Sequence, residues 1–120
     1  MAGIDDKMRE LEFTARSTRP VSELRRLVND AAEVAQGEKV ILTDTANGGI
    51  KGVVRNFVRV QHAVFTVALT TDDSGATTVT FRIPDYMRTR DTVMFIPISP
   101  WSAPAYRTLR EFSGYVRGRL

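Results

Sequence analysis

From Val21 to Val34 the apolar side chains recur at every third or fourth position, and from Lys39 to Ile98 they recur at every second. The first spacing is that of one helix face and the second that of a pleated strand, so the chain must set an amphipathic helix ahead of a run of strands. Val21, Leu24, Leu27, Val28, Ala31 and Val34 form the helix stripe and leave Glu23, Arg25, Arg26 and Glu33 largely in water. Ser17 and Thr18 offer capping oxygens, Pro20 suits a first turn, and Gly37 can take the left-handed conformation that ends a helix. Ahead of the helix, Leu11–Arg16 alternates Leu11, Phe13 and Ala15 with polar residues and reads as a first strand. Residues 1–8, with Asp5 and Asp6, are expected to form a loose end to a single domain spanning 9–120.

The period-two region divides at its turn residues. Lys39–Thr43 and Ile50–Val60 are strands joined across Asn47, Gly48 and Gly49, a sequence suited to the positive backbone angles of a hairpin turn. After a weak break at Gln61 and His62, Ala63–Thr70 forms the next strand. A three-residue loop Asp73-Ser74-Gly75 then pairs Asp72 with Ala76, sets Leu69 opposite Val79, Val67 opposite Phe81 and Phe65 opposite Ile83, and so aligns the apolar rows. Loops one residue shorter or longer would set those side chains against Thr78, Thr80 and Arg82. Thr92–Ile98 is apolar at both parities and reads as a sixth strand covered on both faces, with Pro97 at its end or at a bulge. A last helix follows, capped by Ser99 or Ser102 with Pro104 in its first turn, and striped by Tyr106, Leu109, Phe112 or Ser113, Val116 and Leu120. Gly114 and Gly118 weaken it, and close approach to a sheet would account for them. The expected architecture is α+β: strand, helix, five strands, helix, with a curved antiparallel sheet of about six strands gripping a long C-terminal helix.

At 120 residues, 42% of them hydrophobic, the chain can close one core and not two. It has no Cys, which excludes disulfides, iron–sulfur clusters and thiolate zinc sites. The start carries acids where a secretory signal would carry bases ahead of an apolar run, and no apolar stretch approaches the roughly 20 residues of a membrane span. A cytoplasmic location is therefore expected.

The element order, the segment Arg19–Asp30 after a first strand, the Gly48-Gly49 and Asp73-Ser74-Gly75 hairpins and the closing helix Ala105–Val116 resemble the helix-grip superfamily, which includes START-type lipid-transfer proteins and polyketide cyclases. The resemblance covers most of residues 9–119 and implies an apolar cavity between sheet and C-terminal helix. Applied to this chain, it makes Phe65, Val67, Phe81, Phe95 and Leu109 lining residues, with Arg55, His62 and Tyr106 as polar contacts, Arg82 as a further choice, and Tyr86, Met87 and Trp101 at the mouth.

Chemistry is sparse. His62 is the only His, so no multi-histidine metal site exists, and a strand-edge role competes with general acid–base work. Asn47, Gly48 and Gly49 lack the Lys-Ser/Thr ending of a phosphate loop. Asp72 and Asp73 suit a turn. Net charge is only +3, but Arg107, Arg110, Arg117 and Arg119 face one acid, Glu111, either as a solvated helix face or as a contact for an acidic partner or nucleic acid. Neither metal nor other cofactor is expected. Three functions follow: carriage of a small apolar molecule; an interaction module that dimerises through Val93–Ile98 or engages an acidic partner through the Arg cluster, with nucleic acid the less favoured partner; and a cyclase- or aromatase-type enzyme, the least favoured.

Overall fold

The structure, a computed structural model, describes residues 3–46, 48–89, 92–94, 96–97 and 102–120. The elements in order are α1 (Ile4–Leu11), β1 (Phe13–Ser17), α2 (Val21–Val34), β2 (Lys39–Asp44), β3 (Ile50–Arg55), β4 (Gln61–Thr71), β5 (Thr77–Tyr86), β6 (Thr92–Val93), β7 (Ile96–Pro97) and α3 (Tyr106–Arg117). The fold is α+β, but the sheet has five antiparallel strands in the order β1-β5-β4-β3-β2 and the last helix spans only 12 residues.

Both corrections to the expected six strands and long helix have local causes. The edge of β5 that a sixth strand would need is already taken, because β1 pairs along it from Phe13↔Phe81 to Ser17↔Thr77. Just beyond, the Glu12 carboxylate accepts the Ile83 N–H at 2.8 Å. The segment read as that strand instead folds back on itself, pairing Thr92 with Pro97 and Val93 with Ile96, and turns at Met94, whose φ is 51°. Met94 and Ile96 are exposed, so apolarity at both parities did not signal burial on both faces. Phe95, Ile98, Ser99 and Trp101 lie outside the described residues, as does Asn47 of the first hairpin. The last helix starts late because Ser102 exchanges backbone hydrogen bonds with Thr89 at 2.7 and 2.8 Å, leaving it unable to serve as a cap. Gly114 has no neighbour where a Cβ would stand and Gly118 only a carbonyl of its own helix, so neither approaches the sheet.

Other expectations hold. Helix α2 covers the expected stripe, Val21–Val34, with Leu24, Val28 and Ala31 buried. Pro20, however, stands outside it as an N-cap without any side-chain cap bond from Ser17 or Thr18, and the helix closes at Ala35, two residues ahead of Gly37. The β4–β5 loop has three residues: Gly75 has φ 87°, Asp72 N–H donates to Ala76 O at 2.9 Å, and Leu69 and Val67 pair with Val79 and Phe81. The register then slips between Val64 and Thr66, so Phe65 is not paired with Ile83 as expected.

Helix α1 takes Ile4–Leu11, where a loose end and the start of the first strand at Leu11 are expected from the sequence. Its Ile4 and Met8 join Leu24, Val28, Leu109, Phe112 and Val116 of α2 and α3 in one core against Phe65, Val67 and Phe81 of the sheet. Ser113 Oγ donates to Leu11 O at 2.8 Å and ties the end of α1 to α3. At the centre of the sheet Gly52 lies opposite Phe65, whose ring occupies the space of the missing side chain: a Cβ there would stand 2.0 Å from the ring. A larger residue would push Phe65 out of its contacts with Phe81 and Phe112, at 5.5 and 4.7 Å between centroids.

Candidate functional site

The distinctive surface lies at the end of the sheet where β2 begins, β3 ends and β4 begins. The approach to β2 is pinned from the core side. Thr108 Oγ1, in the first turn of α3, donates to Gln36 O and accepts the Glu38 N–H, both at 2.9 Å. Gly37 bridges those contacts at φ 100°, where a side chain would be strained and would press on Thr108 Oγ1. Glu38 is thereby directed inward, and its Oε2 comes 2.5 Å from Nδ1 of His62, both side chains being nearly buried. The pair has ion-pair proximity without hydrogen-bond alignment, and Glu38 Oε1 is buried with no hydrogen-bond partner. His62 occupies the bulge of β4, where the register skips from Val54↔Ala63 to Arg55↔Gln61.

The next residue, Lys39, faces outward directly opposite Arg55. Two like charges facing each other across a strand pair repel, and no acid among the described residues forms an ion pair with either. A third cation, Arg59, stands in the following turn. Ile50–Val60 is not one continuous strand: Asn56 Oδ1 accepts the N–H groups of Val58 and Val60 at 3.1 and 2.9 Å and closes a turn. Arg59 closes it further through Asn56 O at 3.0 Å, at the cost of a left-handed backbone, φ 69°. Such a conformation in a residue with a side chain costs on the order of 1 kcal/mol and is common at functional sites. The turn holds Phe57 out into solvent, 96% exposed, with Val58 at 60% and Val60 at 42%. Gly37, Glu38, Lys39, Arg55, Asn56, Phe57 and Arg59 together line an open hollow of about 510 Å³.

Of the residues expected to contact a ligand, Arg55 and His62 meet at this end of the sheet. Phe65, Val67 and Phe81 of the sheet and Leu109 of α3 are fully buried core residues, with Phe65 and Phe81 against Phe112 of α3, and Tyr106 is half-buried with Arg110 over its ring. Phe95 and Trp101 lie outside the described residues. Tyr86 is engaged elsewhere: its hydroxyl donates to Asp5, which also takes Arg88 Nε at 2.9 Å, so α1 is fastened to β5. The phenol, chiefly through desolvation and then through this bond, holds its proton to higher pH than usual, while the Tyr86 and Arg88 contacts keep the Asp5 carboxyl below its ordinary range. Met87 is exposed and belongs to the cationic end, since its N–H donates to His62 O at 2.7 Å.

The four C-terminal arginines are occupied singly. Arg107 pairs with Glu111 at 3.7 Å, and Arg110, Arg117 and Arg119 lie over Tyr106, Phe13 and Tyr115. The hollow of about 520 Å³ beside Arg119 is lined by Arg19, Arg26 and Arg119 together with Glu23 and Asp30, and Glu23 pairs with Arg19 at 3.6 Å.

Glu38, Lys39, Asn56, Phe57 and Arg59 escaped the sequence reading, although a signal exists: between Lys39 and Thr71 the only acid is Asp44, against Lys39, Lys51, Arg55 and Arg59. Among the described residues no group of His, Asp and Glu is disposed to hold a metal ion, and no helix is long and apolar enough to cross a membrane. Comparison with family models, with curated proteins and with solved structures found no match to this chain.

Proposed function

We propose that this domain is a binding module whose working surface is the Lys39–Arg55–Arg59 end of the sheet, and that its partner is anionic there. One observation carries the reading: Lys39 and Arg55 oppose each other across β2 and β3 with no acid among the described residues paired to either, an arrangement that costs folding energy and is relieved when an anion bridges the two. The strained Arg59 and the open hollow add to its support. Carriage of an apolar molecule between sheet and α3, as the helix-grip resemblance implies, would require the Phe65, Phe81 and Phe112 rings to part from their contacts. Retention on immobilised heparin, a generic polyanion, tests the proposal. The Lys39→Gln/Arg55→Gln/Arg59→Gln variant is expected to elute at markedly lower salt than the parent, and Arg107→Gln/Arg110→Gln/Arg117→Gln close to it. Equal shifts for the two variants would remove the site from consideration.

A further inference from the structure

The cations of this site share their end of the sheet with side chains that an anion alone does not explain. Phe57 and Val58 project from the hydrogen-bonded Asn56 turn, 96% and 60% exposed, Val60 follows at 42%, and Met87, bonded through its N–H to His62 O, lies at the same end of the sheet at 39%. A protein surface carries scattered apolar residues as a matter of course, but an almost fully exposed aromatic ring beside an exposed valine, next to a hollow lined by three cations and one nearly buried acid, marks an interaction site. We infer that this end of the domain docks on an anionic lipid surface, with Phe57 and Val58 entering the headgroup and acyl boundary and Lys39, Arg55 and Arg59 resting among the headgroups. The inference deepens the anionic-partner reading and rests on it.

The chemistry of the tip selects this partner over the other polyanions. Single-stranded nucleic acid is held by successive aromatic platforms, and Phe57 is the one aromatic ring of the turn, its companions being valines and a methionine that have no π face. An acidic protein segment would satisfy the cations and leave the apolar tip in water. A bilayer takes both: an aromatic and branched aliphatic tip partitions into the interface while basic residues at its rim are drawn to acidic lipids. The turn's hydrogen bonds keep the tip extended before contact, so little conformational freedom is lost on docking.

Cosedimentation with vesicles tests it, comparing phosphatidylcholine alone with phosphatidylcholine containing roughly 30% phosphatidylserine. The parent protein is expected to bind the anionic vesicles at least about tenfold more tightly than the neutral ones, with binding weakened by added salt. Phe57→Ser/Val58→Ser should lower that binding about tenfold or more yet keep its thermal melting and its retention on heparin. Absent vesicle binding with heparin retention intact would overturn the lipid inference and leave the anionic reading standing. Undiminished vesicle binding by the double variant would do the same, as would tighter binding to an oligothymidylate than to the anionic vesicles. Heparin retention that ignores the three cations would remove both.

Discussion

Phe57 and Phe65 belong to the same hairpin, one in the turn between β3 and β4 and the other on β4, and their environments are opposite. Phe65 is fully buried, seated on Gly52 and in contact with the rings of Phe81 and Phe112, whereas Phe57 is 96% exposed. Phe65 is held by a register: only a glycine opposite it, and an inward parity on β4, make room for the ring. Phe57 is held by backbone hydrogen bonds to Asn56 that fix where the ring goes without giving it anything to touch. One ring stabilises the fold, and the other is available to a partner.

The comparison breaks first at the core ring. Phe65→Ala should cost about 3–5 kcal/mol in urea unfolding, the range for a phenylalanine removed from a core that cannot collapse around the gap. A loss under about 1 kcal/mol would mean that the ring does not hold the sheet to α3. Gly52→Ala comes next, at about 1–3 kcal/mol, since its methyl group must displace the Phe65 ring. Combined with Phe65→Leu the cost should be less than the sum of the two, and strict additivity would separate Gly52 from Phe65. At the exposed end the signs reverse. Arg59→Gly relieves a left-handed backbone and should raise stability by up to about 1 kcal/mol while lowering retention on heparin, the pattern of a residue kept for binding at the expense of folding. Gly114→Ala, on the open side of α3, should give a similar gain with heparin retention unchanged, because nothing stands where its methyl group goes.

The smallest expected effect is one of pH. Asp5 is kept ionised by its bonds from Tyr86 and Arg88, and Asp72 by those from Ser74 and by Arg16, so both carboxyls protonate at lower pH in the folded chain than at their ordinary value of 3.8. Their contribution is complete above that value and is lost as pH falls through the lowered folded values. Tyr86 works in the opposite direction: its raised value means that the contribution is whole below the ordinary 10.0 and fades as pH rises through the folded one. Hydrogen-exchange protection in α1, corrected for the intrinsic pH dependence of amide exchange, should therefore fall at both extremes, and Asp5→Asn should flatten the acid limb. An unaltered acid limb would show that α1 is held by its buried Ile4 and Met8 and by the Ser113–Leu11 bond, without help from Asp5.

What could be read from the chain was local. The 3.6-residue stripe of α2 and the loop length set by Gly75 depend on residues a few positions apart, and the β4–β5 register follows from matching two adjacent apolar rows. Helix α1 also had a local signal, Ile4, Met8 and Leu11 at helical spacing, but five charged residues among its eight masked it. The turn at Asn56 was hidden because Phe57, Val58 and Val60 have strand-forming side chains, and it is an Asn carbonyl, with no glycine, that bends the chain.

Sequence alone determined that this is an α+β domain with one core, without thiol or multi-histidine chemistry, and with a tight three-residue hairpin. Tertiary structure decided which edge β1 would occupy, and by taking the free side of β5 it left Thr92–Pro97 to pair with itself. It also brought Lys39 against Arg55 and Glu38 against His62. These pairings join residues distant along the chain, and their energies depend on the packing of the whole sheet rather than on any neighbour in sequence, so no local pattern records them.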